Sequence, residues 1–135
     1  MKLMSGRPIS LLLLLLSWPN WGLAAPVEPV AMPEQWTEAY VILLESQPRN
    51  NIDQEQQRIM QEHIQYQLWL QQQGTALAAG GFAANTPGFA GMTLVHGVSR
   101  ATAEDLAESD PAVAAGLFTA RVITWYIPAG QLPEP

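Results

Sequence analysis

The sequence predicts an α+β domain, a four-stranded antiparallel sheet with its helices on one face. Three observations predict it. Four short runs are apolar or alternating, as strands are. A long stretch with helical periodicity separates the first run from the second. Two capped helical segments separate the third from the fourth. The order is β-α-β-β-α-β, the split βαβ or ferredoxin-like plan.

Each element has its own justification. Ala39 to Glu45 is almost wholly apolar with β-branched members, and reads as a buried strand. Gln47-Pro48-Arg49-Asn50 reads as a turn. Asn51 with Gln54 has the pattern of a capping box, and Asp53 and Glu55 suit a first helical turn. The helix should run to about Gln73 and stop at Gly74, burying a stripe of Ile52, Ile59, Tyr66 and Leu70 with Met60 and His63 beside it. Thr75 to Phe82 and Gly91 to Val98 read as the second and third strands, with His96 alternating with Leu94 and Val98. Ser99 is a candidate N-cap for a helix over 101–108. Asp110 caps a further short helix opened by Pro111. Phe118 to Ile127 is the fourth strand.

Two helices shelter only one side of such a sheet. The other side keeps either the Tyr40/Ile42/Leu44 set or the Val41/Leu43 set, an apolar patch too large for a soluble monomer. The expected remedy is a homodimer that packs two sheets face to face as a dimeric α/β barrel.

Composition excludes several functions. The chain has 135 residues, enough for one domain, with 48% apolar and 13% charged residues. Six basic residues stand against twelve acidic ones, which argues against nucleic acid as a partner. Without cysteine there is no disulfide, thiolate metal site or thiol nucleophile. No Gly-rich phosphate loop is present and the two histidines lack metal-ligand spacing, so neither cofactor nor metal is expected.

The N-terminus reads as a signal peptide. Lys2 and Arg7 precede the apolar run Ile9 to Leu16, and Gly22-Leu23-Ala24-Ala25 supplies small residues for cleavage after Ala24. The run is short of the roughly 20 residues that span a bilayer, so no membrane contact is expected after cleavage. The expected division is a signal peptide over 1–24, a proline-rich disordered leader over 25–35, the domain over 36–131 and a fraying tail over 132–135. Past residue 24 the chain has four arginines, no lysine and all twelve acids, a formal charge of −8. An exported acidic chain without cysteine suits a periplasmic or secreted location.

Several segments resemble the YCII-related proteins. They are Gly88-Phe89-Ala90-Gly91 through Ser99, His63-Ile64 followed by Gly74 and Gly80, and above all Asp110-Pro111-Ala112-Val113-Ala114-Ala115-Gly116-Leu117-Phe118. The last is close to that family's Asp-Pro-(aromatic)-Val-x-Ala-Gly segment, with Ala112 where the family has an aromatic residue. The resemblance covers roughly residues 38–128. It implies a dimeric α/β barrel with a pocket between helix and sheet, and an acid–base pair formed by His63 and Asp110. It also implies lyase- or isomerase-type chemistry, one relative being a dehydrochlorinase of a chlorinated hydroxyhydroquinone.

Each candidate residue has two readings. His63 is a general base if a carboxylate holds its tautomer, or else a core-edge histidine bonded to a backbone carbonyl. Asp110 caps a helix, faces a pocket, or does both. Tyr66, one turn beyond His63, is a candidate ligand contact. His96 lines a ligand site or the dimer interior. Arg121 holds an anionic substrate or pairs with a glutamate. The expected function is that of an exported pocket protein for a small organic ligand, with a non-catalytic binding or interaction module as the alternative.

Overall fold

The computed structural model describes residues 28–46 and 51–134. The expected signal peptide and its cleavage site, the first residues of the leader, the turn at 47–50 and Pro135 lie outside them. Residues 28–35 carry no helix or strand.

The elements are β1 (Trp36–Ser46), α1 (Gln54–Gln72), β2 (Ala76–Gly81), β3 (Phe89–Val95), α2 (Arg100–Glu108), α3 (Pro111–Ala114) and β4 (Phe118–Pro128). The strands form one antiparallel sheet in the order β2-β3-β1-β4. This is the ferredoxin-like arrangement, with the first strand between the third and the fourth. β1 pairs along its whole length with β4, from Trp36 opposite Pro128 to Ser46 opposite Phe118.

Period-two alternation sorts β1 into two faces. Tyr40, Ile42 and Leu44 are buried in the core with Leu70 of α1, Ala103 and Ala107 of α2, and Val95 of β3. Val41 and Leu43 point the other way, and their partners across the sheet include Leu94, Ile123 and Arg121. On that second face Ile123 is 40% and Trp125 47% exposed, and no helix among the described residues covers it.

Four boundaries differ from the sequence reading by two residues or more, one being the start of β3 at Phe89 instead of Gly91. The α1 capping box is formed by Asp53 with Gln56, two residues later than Asn51 with Gln54. Ile52 therefore precedes the helix and lies exposed instead of joining its buried stripe. β1 begins at Trp36, because β4 is long enough to pair with it there. β3 ends at Val95, because Gly97 has a φ of 66° and turns the chain out of the extended region. The Ser99 and Asp110 caps stand where the sequence places them, accepting from the backbone N–H groups of Thr102 and Ala112.

Gly91 of β3 lets the edge strand close in. A Cβ there would lie 2.4 Å from the carbonyl oxygen of Gly80, so β2 and β3 can adopt this spacing only with glycine at that position.

Candidate active site

α1 lies over the β2–β3 side of the sheet and leaves a cavity of about 320 Å³ between them. Residues spaced three and four apart on the helix, Met60, His63, Ile64, Gln67, Leu68 and Gln71, form one wall. The backbone around Gly80, Gly81 and Gly91 forms the floor. Leu44, Thr93 and Phe118 complete the lining. The volume suits one small organic molecule.

The polar chemistry gathers at His63. Its Nδ1 lies 2.7 Å from Asp110 Oδ2 and 2.9 Å from Oδ1. Among the described residues the ring bonds this carboxylate and no backbone carbonyl. Asp110 is 1% exposed. It is placed by its own N-cap role: Oδ1 accepts from the Ala112 N–H at 2.8 Å at the start of α3, which aims the carboxylate back at α1. One side chain therefore both caps a helix and faces the histidine. Phe118 meets the imidazole edge-on, with ring centroids 5.5 Å apart.

A further residue, not singled out in the sequence, joins them. Gln67 follows His63 by one helical turn and donates from Nε2 to Asp110 Oδ2 at 2.7 Å. Its Oε1 accepts from the hydroxyl of Thr93, also at 2.7 Å. Thr93 is 1% exposed on the helix side of β3. The chain of bonds runs Thr93–Gln67–Asp110–His63, and among the described residues no buried side-chain polar atom lacks a partner.

The other candidates lie apart from the cavity lining. Tyr66 donates to the Leu106 carbonyl at 2.9 Å, tying α1 to α2, and its ring stacks on Trp69. Burial, and secondly the charge of Asp110, raise its phenol above the ordinary value. His96 is buried just beyond the end of β3, its backbone N–H bonded to the Thr75 carbonyl. Arg121 is on the opposite face of the sheet, in an ion pair with Glu45. Among the described residues no three His, Asp or Glu side chains gather as a metal site, and no helix is long and apolar enough to cross a membrane.

Fold and site define a class: a ferredoxin-like α+β domain with a histidine–carboxylate pair at a cavity between its first helix and its sheet. The profile of the YCII-related domain matches residues 39–126, most of the chain, and the chain belongs to that family. Among solved structures it is similar to a 5-chloro-2-hydroxyhydroquinone dehydrochlorinase from Burkholderia phenoliruptrix AC1100, in complex with 2,5-dihydroxybenzoquinone. The identity is 18%, covering 64% of this chain and 92% of that one, with a TM-score of 0.47. No curated protein matches the chain in sequence.

Proposed function

We propose that this protein is a small-molecule enzyme of lyase or isomerase type, in which His63 removes or returns a proton. The observation that carries the reading is the 2.7 Å contact between His63 Nδ1 and the buried carboxylate of Asp110, with the ring in the cavity wall. A carboxylate on Nδ1 keeps the proton there and leaves Nε2 its lone pair, the form a general base needs. It also stabilises the imidazolium that forms once the ring has taken a proton. The walls contributed by Leu44, Met60, Leu68 and Phe118 favour a compact, largely apolar ligand.

A second reading, non-catalytic ligand binding, is favoured by a different observation. Among the described residues, His63 is the one titratable side chain in the lining. A reaction needing separate acid and base must then use His63 for both.

The cavity is proposed to work in a homodimer. The uncovered sheet face carries Val41, Leu43, Ile123 and Trp125 beside the Arg121–Glu45 ion pair, an apolar stretch that a seam with a second copy would cover. We also propose export to the periplasm or medium, from the charge, apolar run and small residues at positions 1–25.

The test begins with native mass spectrometry of the protein purified from its own cells, to identify a trapped ligand. Turnover of that compound is then compared between wild type and His63→Ala. The catalytic reading expects at least a hundredfold loss, on the order of a general-base contribution, with folding and ligand binding retained. Binding with no turnover by either favours the second reading, and equal turnover by both would remove His63 from the chemistry.

A further inference from the structure

We infer that Gln67, oriented by Thr93, is a positioning residue that decides which nitrogen of His63 carries the proton. The inference deepens the proposed function, since it rests on His63 acting through Nε2.

The Thr93 hydroxyl donates to Gln67 Oε1, which turns the Gln67 Nε2 group toward Asp110. The reversed amide would set its oxygen 2.7 Å from a carboxylate oxygen, acceptor against acceptor. Asp110 then receives N–H donors on both oxygens: Ala112 on Oδ1 and Gln67 on Oδ2. Held at both ends, the carboxylate is fixed in orientation. It presents both oxygens to His63 Nδ1, at 2.9 and 2.7 Å. A bare Nδ1 would face two oxygens and no proton. The proton therefore sits on Nδ1, and Nε2 is the basic nitrogen.

Helix geometry makes the arrangement rigid. His63 and Gln67 are four residues apart on α1, so one helical turn fixes the base against the group that steers its partner. Thr93 comes from the sheet, so the amide direction also records the docking of α1 on β3. Gln67 acts through Asp110, as an outer partner sets the tautomer of a ligating histidine.

The experiment is nitrogen-15 NMR of the ring nitrogens in the full chain, above the pH at which the rings titrate. There are only two histidines, and His96→Gln assigns the signals. Wild type is expected to show His63 with a protonated Nδ1 and a bare Nε2. Gln67→Leu removes the hold on Asp110 Oδ2, so the carboxylate can turn about its cap bond away from Nδ1, and the Nε2–H form should rise at least about threefold. Thr93→Val, which is near-isosteric, should move the populations the same way by less, and Thr93→Ser should restore them. If Gln67→Leu does not fold, the two Thr93 variants carry the test alone.

Unchanged tautomer populations in every folded variant would overturn the inference, whatever happens to the melting temperature, and would make Gln67 a packing residue. The measurement needs no substrate. A shifted tautomer in Gln67→Leu together with full turnover by His63→Ala would uphold the positioning role and sink the catalytic reading.

Discussion

Replacing Asp110 with alanine should be among the most damaging single changes in the domain, and the structure indicates its size. The carboxylate serves three donors: the Ala112 N–H, Gln67 Nε2 and His63 Nδ1. Loss of the N-cap costs about 1 kcal/mol. Each of the other two is a bond to a charged acceptor, about 1.5–3 kcal/mol when removed with its partner left behind. The three share one carboxylate and are not additive, so the expected loss is about 4 kcal/mol. For a domain of roughly 100 residues this lowers the melting temperature by roughly 15–30 °C. Asp110→Asn keeps an oxygen for the cap but brings an amide N–H₂ to the site. Gln67 must turn over to meet it, at an expected cost of about 1–2 kcal/mol. The assay is urea denaturation of the three proteins at one protein concentration and neutral pH, with the m-values compared. An alanine variant within about 1 kcal/mol of wild type would refute the reasoning, because single-acceptor caps alone cost that much. So would an asparagine variant as unstable as the alanine one.

Other outcomes follow from other parts of the molecule. Gly91→Ala should destabilise the domain by about 2 kcal/mol in thermal or urea unfolding, because its Cβ would meet the Gly80 carbonyl oxygen at 2.4 Å. Gly80→Ala, with nothing within 4 Å of the added carbon, should be nearly neutral and is the control. The Tyr66 phenol should titrate above the ordinary 10.0 in ultraviolet difference spectra, because burial and the Asp110 charge disfavour the phenolate. Its stabilising contribution is full below that value and is lost as pH rises through the raised folded one. Asp110→Asn should bring the midpoint part of the way back, since burial remains the larger cause. If the uncovered sheet face joins two copies, Ile123→Asp should convert a dimer to a folded monomer in sedimentation velocity. A wild-type monomer at micromolar concentration would remove that proposal.

What was legible in the sequence was mostly local chemistry. An Asp-Pro step caps and opens a helix wherever it occurs, so Asp110 and α3 could be read directly. Ser99 was equally plain. The α1 cap was ambiguous because Asn51 and Asp53 are both capping residues with glutamine three positions on, and the chain uses the later pair. The sheet order followed from the element order, whereas the exact end of β3 depended on the φ of Gly97, which a sequence does not display. The pairing of Arg121 with a glutamate was one of two stated possibilities, and cross-strand register brought it to Glu45. Gln67 was hidden by its surroundings. In a helix with so many glutamines each looks like a solubilising residue, and nothing local separates Gln67 from Gln65 or Gln72. The available signal was its position four residues after His63, on the same helix face. His96 could not be placed, because its alternation with Leu94 and Val98 ceases to apply where the strand stops.

The central claim, that His63 moves a proton on a molecule held in the cavity, has a direct measurement. The released ligand is incubated in D₂O with the protein and followed by proton NMR. The account predicts that wild type washes out a carbon-bound proton, or converts the ligand with deuterium incorporated, and that His63→Ala does neither while still binding it. Identical spectra with wild type and variant over the same time would contradict it.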